Sequence, residues 1–348
     1  MSDEPEVIVG VDAGVGRLTL NRPAALNALT TGMCQAMLEA LAAWGGDPSV
    51  RLVLIDHAGE RGFCAGGDIR MLAESGAGDG AAAREFFFTE YRLNELLFRY
   101  RKPIVAVMDG VTMGGGVGLS LPARYRIATE RTTFAMPETG IGLFPDVGAA
   151  WRLARLQGEA GVWLALTGAR IRAADAVRLG IATHFVESAR LVALKGALGA
   201  DPTAALDAAA SDPGPAPLEP HLADIQRLFA GDSVEAIFAA LGDDASDWAK
   251  AQLETLKAKS PQTLKVALRL LREAAHLGSF AKEMMSEYRV ASRVVRLHDF
   301  REGVRAVIID KDNTPRWSPA TLAEITPAFL DEIFAPLPGD QEWTPLPD

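Results

Sequence analysis

Short apolar segments alternate with longer amphipathic ones through the first half of the chain. Residues 6–12 and 16–20 are two β-type runs on either side of a Gly turn, which predicts a hairpin. The short apolar runs 50–56 and 103–110 predict buried strands. Four segments between and after the strands have helical spacing, which are 33–44, 84–101, 159–167 and 173–179. The last two lead into the apolar segment 181–186. This alternation predicts an α/β fold with crossover connections.

The pattern changes after about residue 190. Residues 191–211 are rich in Ala, and 211–220 form a Pro-rich connector. Beyond the connector, Ser260 and Pro261 are a typical N-cap and first-turn pair for a helix at 262–276. Two further helices are predicted at 279–297 and 299–309. The chain therefore divides into a core at 1–190 and a mainly helical C-terminal region at 191–348.

Composition narrows the classes of function. The 348 residues are 49% hydrophobic and 23% charged, with a net charge of -10, as in a globular protein larger than one typical domain. The negative charge argues against nucleic acid or an anionic membrane as the main partner. The acidic start MSDEPEVIVG does not resemble a signal peptide, and no apolar run has membrane-spanning length, so we expect a cytoplasmic protein.

Two glycine-rich loops each follow a predicted strand. In 61-RGFCAGGDIRM-71, Asp68 has the place of a helix N-cap, and Gly66 and Gly67 allow a ligand to approach the backbone closely. The loop 112-TMGGGVGLS-120 repeats the arrangement around Gly114 and Gly115. Each loop alone is explained by a tight turn or by close helix–strand packing. Two loops with outward N–H groups are what an oxyanion hole for a thioester carbonyl requires.

Two acids stand in the otherwise apolar stretch 131-RTTFAMPETGIGLFPDVGAAWRL-153. Carboxylates are seldom buried without a partner, so Glu138 and Asp146 are candidates for chemistry. The structural alternative is that both are capping residues, with Asp146 as the N-cap of a helix at 147–156. If the two carboxylates lie close together, we expect them to titrate as a coupled pair with one raised pKa.

Three motifs carry a family resemblance over residues 6–190. FCAGGDIR, MGGGVGLS and FAMPETGIGLFPDVG, in this order and spacing, resemble the crotonase (enoyl-CoA hydratase/isomerase) superfamily. The resemblance implies a ββα superhelix core, an oxyanion hole from the N–H groups of Gly67 and Gly115, and backbone contacts to coenzyme A around Ala65 and Gly67. It also implies a contact of Arg70 with coenzyme A, for which an exposed helix arginine is the alternative. Further candidates for binding the acyl-CoA substrate are Gly66, Gly114, Gly118, Arg22, Glu90 and Tyr91. For Glu90 and Tyr91 the alternative is core packing of their helix.

Within this superfamily, the sequence departs from the hydratase pattern at one position. Hydratases have a catalytic glutamate in the helix after the triple glycine, and the matching residue here is Gly118. The pair Glu138 and Asp146 in PETGIGLFPDVG is similar to the 3-hydroxyisobutyryl-CoA hydrolase branch, as are the segments 86–97 and 287–319. This resemblance implies an acyl-CoA thioester hydrolase of valine breakdown that needs no metal or redox cofactor. Two further points stay open. The chain could form a homo-oligomer through its C-terminal helices, and 3-hydroxypropionyl-CoA is a related possible substrate.

The sequence leaves several alternatives open. Glu138 could attack the thioester to form a mixed anhydride, or activate a water as general base, while Asp146 holds that water or the substrate hydroxyl. The other functions are an enoyl-CoA hydratase or isomerase with a displaced acid, and a non-catalytic acyl-CoA-binding protein. Cys64 lacks an indicated His partner for thiol catalysis. The isolated residues His57, His184 and His298 predict no metal site.

Overall fold

The protein's architecture is taken from a computed structural model, which describes residues 4–347. The strands are β1 (Val7–Asp12), β2 (Val15–Leu20), β3 (Leu52–His57), β4 (Gly62–Cys64), β5 (Ile104–Met108), β6 (Val111–Met113), β7 (Tyr125–Ala128), β8 (Thr133–Ala135) and β9 (His184–Phe185). One sheet has the order β1-β2-β3-β5-β7-β9, and a second has the order β4-β6-β8. All neighbouring strands are parallel except the hairpin β1–β2, which confirms the predicted hairpin and the crossover pattern.

Helices connect the strands and make up the C-terminal part of the chain. They are α1 (Thr31–Gly45), α2 (Ile69–Ala77), α3 (Ala81–Arg99), α4 (Gly115–Ser120), α5 (Ala149–Leu153), α6 (Ala160–Thr167), α7 (Ala173–Arg178), α8 (Leu191–Ala197), α9 (Pro202–Ala209), α10 (Leu222–Leu228), α11 (Val234–Asp243), α12 (Asp247–Lys257), α13 (Pro261–Ala274), α14 (Phe280–Val294), α15 (His298–Val304) and α16 (Pro327–Phe334). A π-helical turn, Arg305–Ile309, continues α15. Within residues 4–347, no helix is both long and apolar enough to cross a membrane.

The chain forms two compact units that are each discontinuous in sequence. The sheet unit contains Met1–Gly67, Leu93–Ala135 and Arg170–Glu219, and the helical unit contains Asp68–Arg92, Met136–Ala169 and Pro220–Asp348. Both sheets belong to the sheet unit. The division of the chain at residue 190 that the sequence suggested stays a prediction.

The core of the sheet unit explains why its strands are continuous apolar runs. Every residue of β3 and β5 is buried, as expected for parallel strands covered on both faces. Side chains from α8 and α9 pack against the strands. The buried cluster consists of Val15, Leu52, Leu54, Val105, Val107, Ile127, Val186, Leu191, Leu194, Leu198, Leu206 and Ala209.

Two predicted helix starts are confirmed by their caps. The Asp68 carboxylate accepts a hydrogen bond from the Met71 N–H at 3.4 Å, and the Ser260 hydroxyl accepts one from the Thr263 N–H at 3.2 Å. Helix α1 begins two residues earlier than predicted, because the Thr30 side chain caps it. These three helices thus start where a short polar side chain satisfies one of the first N–H groups.

In the helical unit, the C-terminal segment packs on α3. The Trp343 side chain is fully buried, and its Nε1–H donates to the Phe88 carbonyl oxygen at 3.2 Å. The Arg92 guanidinium donates to the Thr344 carbonyl oxygen at 2.8 Å. Helix α3 is therefore held in part by residues that follow it at a distance of more than 200 positions.

Candidate active site

The two glycine loops lie against each other in the sheet unit. They follow β4 and β6, which are parallel neighbours. Gly66 has φ 121° and Gly114 has φ 47°, values in the left-handed region that favours glycine. A Cβ added at Gly66 would lie 3.8 Å from Gly114 Cα and 3.9 Å from Gly115 N. The structure therefore brings Ala65, Gly66 and Gly67 together with Gly114 and Gly115.

The N–H groups of Gly67 and Gly115 are the candidate donors of these loops. Gly115 is the first residue of α4, and its N–H has no acceptor within its own helix. Gly67 pairs with Leu29 in a parallel bridge, in which the Leu29 N–H donates to the Gly66 carbonyl oxygen at 2.8 Å. This geometry provides two candidate donors, and their role toward a thioester stays a prediction.

Close packing explains a different member of the triple glycine. A Cβ at Gly116 would lie 2.5 Å from the Cys64 carbonyl oxygen, so only glycine allows α4 to approach β4. Gly118 is buried in the same helix, and its N–H donates to the Gly114 carbonyl oxygen at 3.2 Å. The packing alternative is therefore correct for Gly116, and Gly118 contributes no titratable group.

Glu138 and Asp146 are both buried in the helical unit. Glu138 begins the 3₁₀ turn Glu138–Ile141, and its Oε2 atom has no hydrogen-bond partner in the described part of the chain. Asp146 Oδ2 accepts a hydrogen bond from the Tyr91 hydroxyl at 2.8 Å. The expected helix at 147–156 is wrong in its bounds, because Val147 and Gly148 have positive φ and α5 begins at Ala149. The Asp146 side chain does not cap α5, whose N-cap position is Gly148.

Burial shifts the pKa of both acids in the same direction. It raises the pKa of Glu138 well above its usual value, the Asp146 charge raises that pKa further, and Lys259 opposes the shift. Burial raises the pKa of Asp146 to about 6, against the lowering effect of the hydrogen bond from Tyr91. The Asp146 charge thus acts on Glu138, although both pKa values rise rather than one. Asp146 can therefore exchange a proton near neutral pH.

Helix α3 brings Glu90 and Tyr91 to the same acids. Tyr91 is fully buried, and burial and the Asp146 charge raise its pKa well above 10, so it acts as a neutral donor. Glu90 is 2% exposed, its Oε1 atom has no partner among residues 4–347, and burial followed by the Asp146 charge raises its pKa. The structure thus brings both residues to Asp146, and their contact with an acyl group stays a prediction.

Three charged residues near the acids were missed by the sequence reasoning. Lys259 acts on the Glu138 pKa, and Glu287 Oε2 accepts a hydrogen bond from the Gly148 N–H at 2.9 Å. Glu283 lies one helical turn before Glu287 on α14, and both are fully buried. The available signal was two acids four residues apart on an otherwise apolar helix face. No local signal distinguished Lys259.

Arg22 and Arg70, the side chains predicted to contact coenzyme A, are less buried than the two acids. The Arg22 guanidinium donates to the Ala28 carbonyl oxygen at 3.0 Å and lies 3.3 Å from the Glu6 carboxylate. Arg70 is exposed on α2.

Cys64 is fully buried, as expected for a structural residue. Across residues 4–347, no group of three or more His, Cys, Asp or Glu side chains could hold a metal ion.

The family model described as "Enoyl-CoA hydratase/isomerase" matches residues 15–334, and the chain belongs to this family. It is 44% identical over 344 residues to the "3-hydroxyisobutyryl-CoA hydrolase, mitochondrial" of Gallus gallus, covering 95% of this chain and 89% of the relative. The protein of the same name from Danio rerio is 45% identical over 344 residues, covering 95% and 90%. The structure titled as a carnitinyl-CoA dehydratase from Mycobacterium thermoresistibile is 45% identical with a TM-score of 0.94, covering 98% of this chain and 99% of that one. The predicted crotonase-like α/β fold with a helical C-terminal region is confirmed.

The comparison also corrects one expectation. Both curated relatives are named as mitochondrial proteins, so the cytoplasmic location predicted from the sequence is wrong. The physical reason is that an acidic start bears on secretion through a signal peptide and leaves other compartments open. Residues 1–3 of that start lie outside the described residues.

Proposed function

We propose that the chain hydrolyses a short-chain 3-hydroxyacyl-CoA thioester, with 3-hydroxyisobutyryl-CoA as substrate and 3-hydroxyisobutyrate and coenzyme A as products. The observation that carries the proposal is a buried pair of acids, Glu138 and Asp146, in a chain that has Gly118 at the position of the hydratase acid. The names of relatives that are 44% and 45% identical over most of the chain support the same reaction. This activity would serve valine breakdown.

Polarisation of the thioester falls to backbone groups. The N–H groups of Gly67 and Gly115 would donate to the carbonyl oxygen as negative charge develops on it. A donor of this kind typically contributes about 2.7–4 kcal/mol to the transition state. Since these groups do not titrate, their contribution is independent of pH in the neutral range.

Bond cleavage falls to Glu138. In one route its carboxylate attacks the carbonyl carbon, the C–S bond breaks, the coenzyme A thiolate takes up a proton, and water then hydrolyses the mixed anhydride. In the other route the carboxylate removes a proton from the attacking water. Burial makes the ionised form of Glu138 more basic than an exposed glutamate, which favours either role.

The remaining residues would hold the substrate. Asp146, ionised above about pH 6, would position the water or the 3-hydroxyl group, with Tyr91 fixing its orientation. Glu90, which has an unpartnered oxygen, would line the acyl pocket. Backbone around Ala65, Gly66, Gly114 and Gly118 and the side chains of Arg22 and Arg70 would contact coenzyme A. Carboxylates and N–H donors suffice for this polar reaction, so we propose no metal or redox cofactor, and an assembly through the C-terminal helices stays open.

A second candidate is an enoyl-CoA hydratase or dehydratase. The name of the Mycobacterium thermoresistibile structure, which is 45% identical, favours it. Reversible hydration needs one acid to activate water and another to deliver a proton to carbon. Gly118 supplies neither, so Glu138 would need a displaced partner such as Glu90 or Asp146.

The experiment that separates these functions measures two reactions on one preparation. Release of free thiol from 3-hydroxyisobutyryl-CoA is followed beside hydration of crotonyl-CoA, with 3-hydroxypropionyl-CoA as a test of chain preference. We expect rapid thiol release without hydration. Hydration without thiol release would establish the second candidate, and tight binding of the thioester with neither reaction would indicate a non-catalytic binding protein.

A further inference from the structure

The turn that carries Asp146 is held in an unusual backbone conformation. Val147 has φ 57° and Gly148 has φ 76°, so two consecutive residues are left-handed. A β-branched residue in this region is a genuine outlier, and its backbone is strained. Strain of this kind persists only where surrounding contacts impose it.

Helix α14 supplies those contacts. Glu287 is fully buried, and its Oε2 atom accepts the Gly148 N–H at 2.9 Å. A Cβ at Gly148 would collide with the ring of Phe280 and lie 3.4 Å from the Met284 sulfur, so the same helix face packs directly on the turn. The direction of the Asp146 carboxylate is therefore set by the Tyr91 hydroxyl on one side and by the turn that α14 holds on the other.

The second oxygen of Glu287 indicates the state of its carboxyl group. Glu287 Oε1 and both carboxyl oxygens of Glu283 are buried without a hydrogen-bond donor in the described residues. Two carboxylates contain no donor, whereas one proton between them joins an oxygen of Glu283 to an oxygen of Glu287. Their positions on α14 are four residues apart, which places them on one helix face.

The surroundings favour that proton. Burial raises the pKa of Glu283 to about 8, the Glu273 charge adds to the shift, and the Arg155 charge opposes it. Burial raises the pKa of Glu287 well above its usual value, and the charges of Glu283 and Asp146 raise it further. The titratable groups that face Glu287 are thus Glu283 on α14, Asp146 in the turn and the Tyr91 hydroxyl on α3.

We propose that Glu287 is a positioning residue of the reaction, whose carboxyl group shares a proton with Glu283 and fixes the Gly148 turn that directs Asp146. This inference rests on the proposed function, because it depends on the role of Asp146. Glu287 acts through the turn and requires no contact with the substrate. Its neutral form accepts from the Gly148 N–H without placing a second negative charge beside Asp146.

Two substitutions at this position test the proposal. Glu287→Gln retains an oxygen for the Gly148 N–H and a donor for Glu283, so we expect kcat for thiol release within about threefold of the wild type. Glu287→Leu keeps the volume and removes the acceptor, and we expect kcat to fall about 100-fold with KM within about threefold, since small misplacements of a reacting group cost about that much. Circular dichroism and thermal unfolding establish that each variant is folded.

A matched control is available in the sheet unit. Asp175 is also buried, and its Oδ1 atom accepts the Leu218 N–H at 2.8 Å. Asp175→Leu removes the same kind of bond and should lower the unfolding temperature while leaving kcat within about threefold. An equal loss of kcat in the Asp175 and Glu287 variants would reduce Glu287 to a structural role and overturn the inference.

The pH profile provides an independent readout. The wild-type kcat should fall at alkaline pH, where Glu283 and Glu287 lose their shared proton and a charge appears beside Asp146. Glu287→Gln should lack this alkaline limb, and this comparison decides the matter if the Leu variant does not fold. An unchanged alkaline limb in the Gln variant, or a folded Leu variant with wild-type kcat, overturns this inference and leaves the proposed function standing. A wild type that releases no thiol overturns the proposed function as well.

Discussion

In the proposed reaction, the glycine loops of the sheet unit and the acids of the helical unit would supply two kinds of chemistry. The loops offer backbone N–H groups, whose directions follow from strand pairing and from the positive φ of Gly66 and Gly114. The acids offer side chains from separate segments, and burial decides their proton affinity. The first arrangement depends on the absence of side chains and does not respond to pH near neutrality. The pH dependence of the proposed reaction near neutrality therefore comes from the acids.

The largest loss of kcat is expected when the reacting carboxylate is removed. Glu138→Gln should lower kcat for thiol release by about 1,000-fold, within the range typical for loss of a general base. The dissociation constant for coenzyme A should change less than about threefold, as measured by calorimetry. Cys64→Ser is the control and should retain activity within about threefold. Retained turnover in the Gln variant would refute the proposed role of Glu138, and a large loss in the Ser variant would point to a thiol nucleophile.

A smaller loss is expected from the glycine loops. Gly114→Ala forces a side chain onto φ 47° and should displace the Gly115 N–H, lowering kcat about 100-fold, as loss of one oxyanion donor does. The pH profile should keep its shape, since no titratable group changes. Gly196→Ala in α8 is the matched control, because its Cβ would meet nothing within 4 Å. A changed pH profile in the Gly114 variant would contradict the division between the two regions.

The smallest effect should appear only at low pH. Tyr91→Phe removes the hydrogen bond that lowers the pKa of Asp146, so that pKa should rise above about 6. A rise of about one unit reduces the ionised fraction about fivefold at pH 6 and hardly at all at pH 8. The acid limb of kcat/KM should therefore move to higher pH. A limb that stays in place would exclude Asp146 as the group that must be ionised.

Much of the fold could be predicted from the sequence because the determinants are local. Apolar runs located the hairpin and the buried strands β3 and β5, and capping chemistry located the starts of α2 and α13. The early part of α5 could not be predicted, since Val147 shows no local preference for the left-handed conformation that it adopts. The helix face that packs on this turn comes from residues more than 130 positions later.

The candidate site divides in the same way. Glu138 and Asp146 were recognisable as acids in an apolar stretch, and the roles assigned to them came from the family resemblance. Lys259 lowers the Glu138 pKa, and Glu287 accepts the Gly148 N–H two residues after Asp146. Both act from distant segments, so their contacts depend on tertiary packing that a local pattern does not contain. Arg22 and Arg70 are the opposite case. The sequence named both residues, and their contact with coenzyme A stays a prediction.

The buried indole of Trp343 has a consequence for the synthesis of the protein. Its partner on α3, the Phe88 carbonyl, lies 255 residues earlier in the chain. At the usual rates of translation, roughly 13–51 s pass between the emergence of these two positions from the ribosome. Throughout that interval α3 lacks the Trp343 indole, which donates to it in the folded protein. A nascent chain therefore exposes part of α3 for most of its synthesis, and transiently exposed apolar surface of this kind is prone to aggregation.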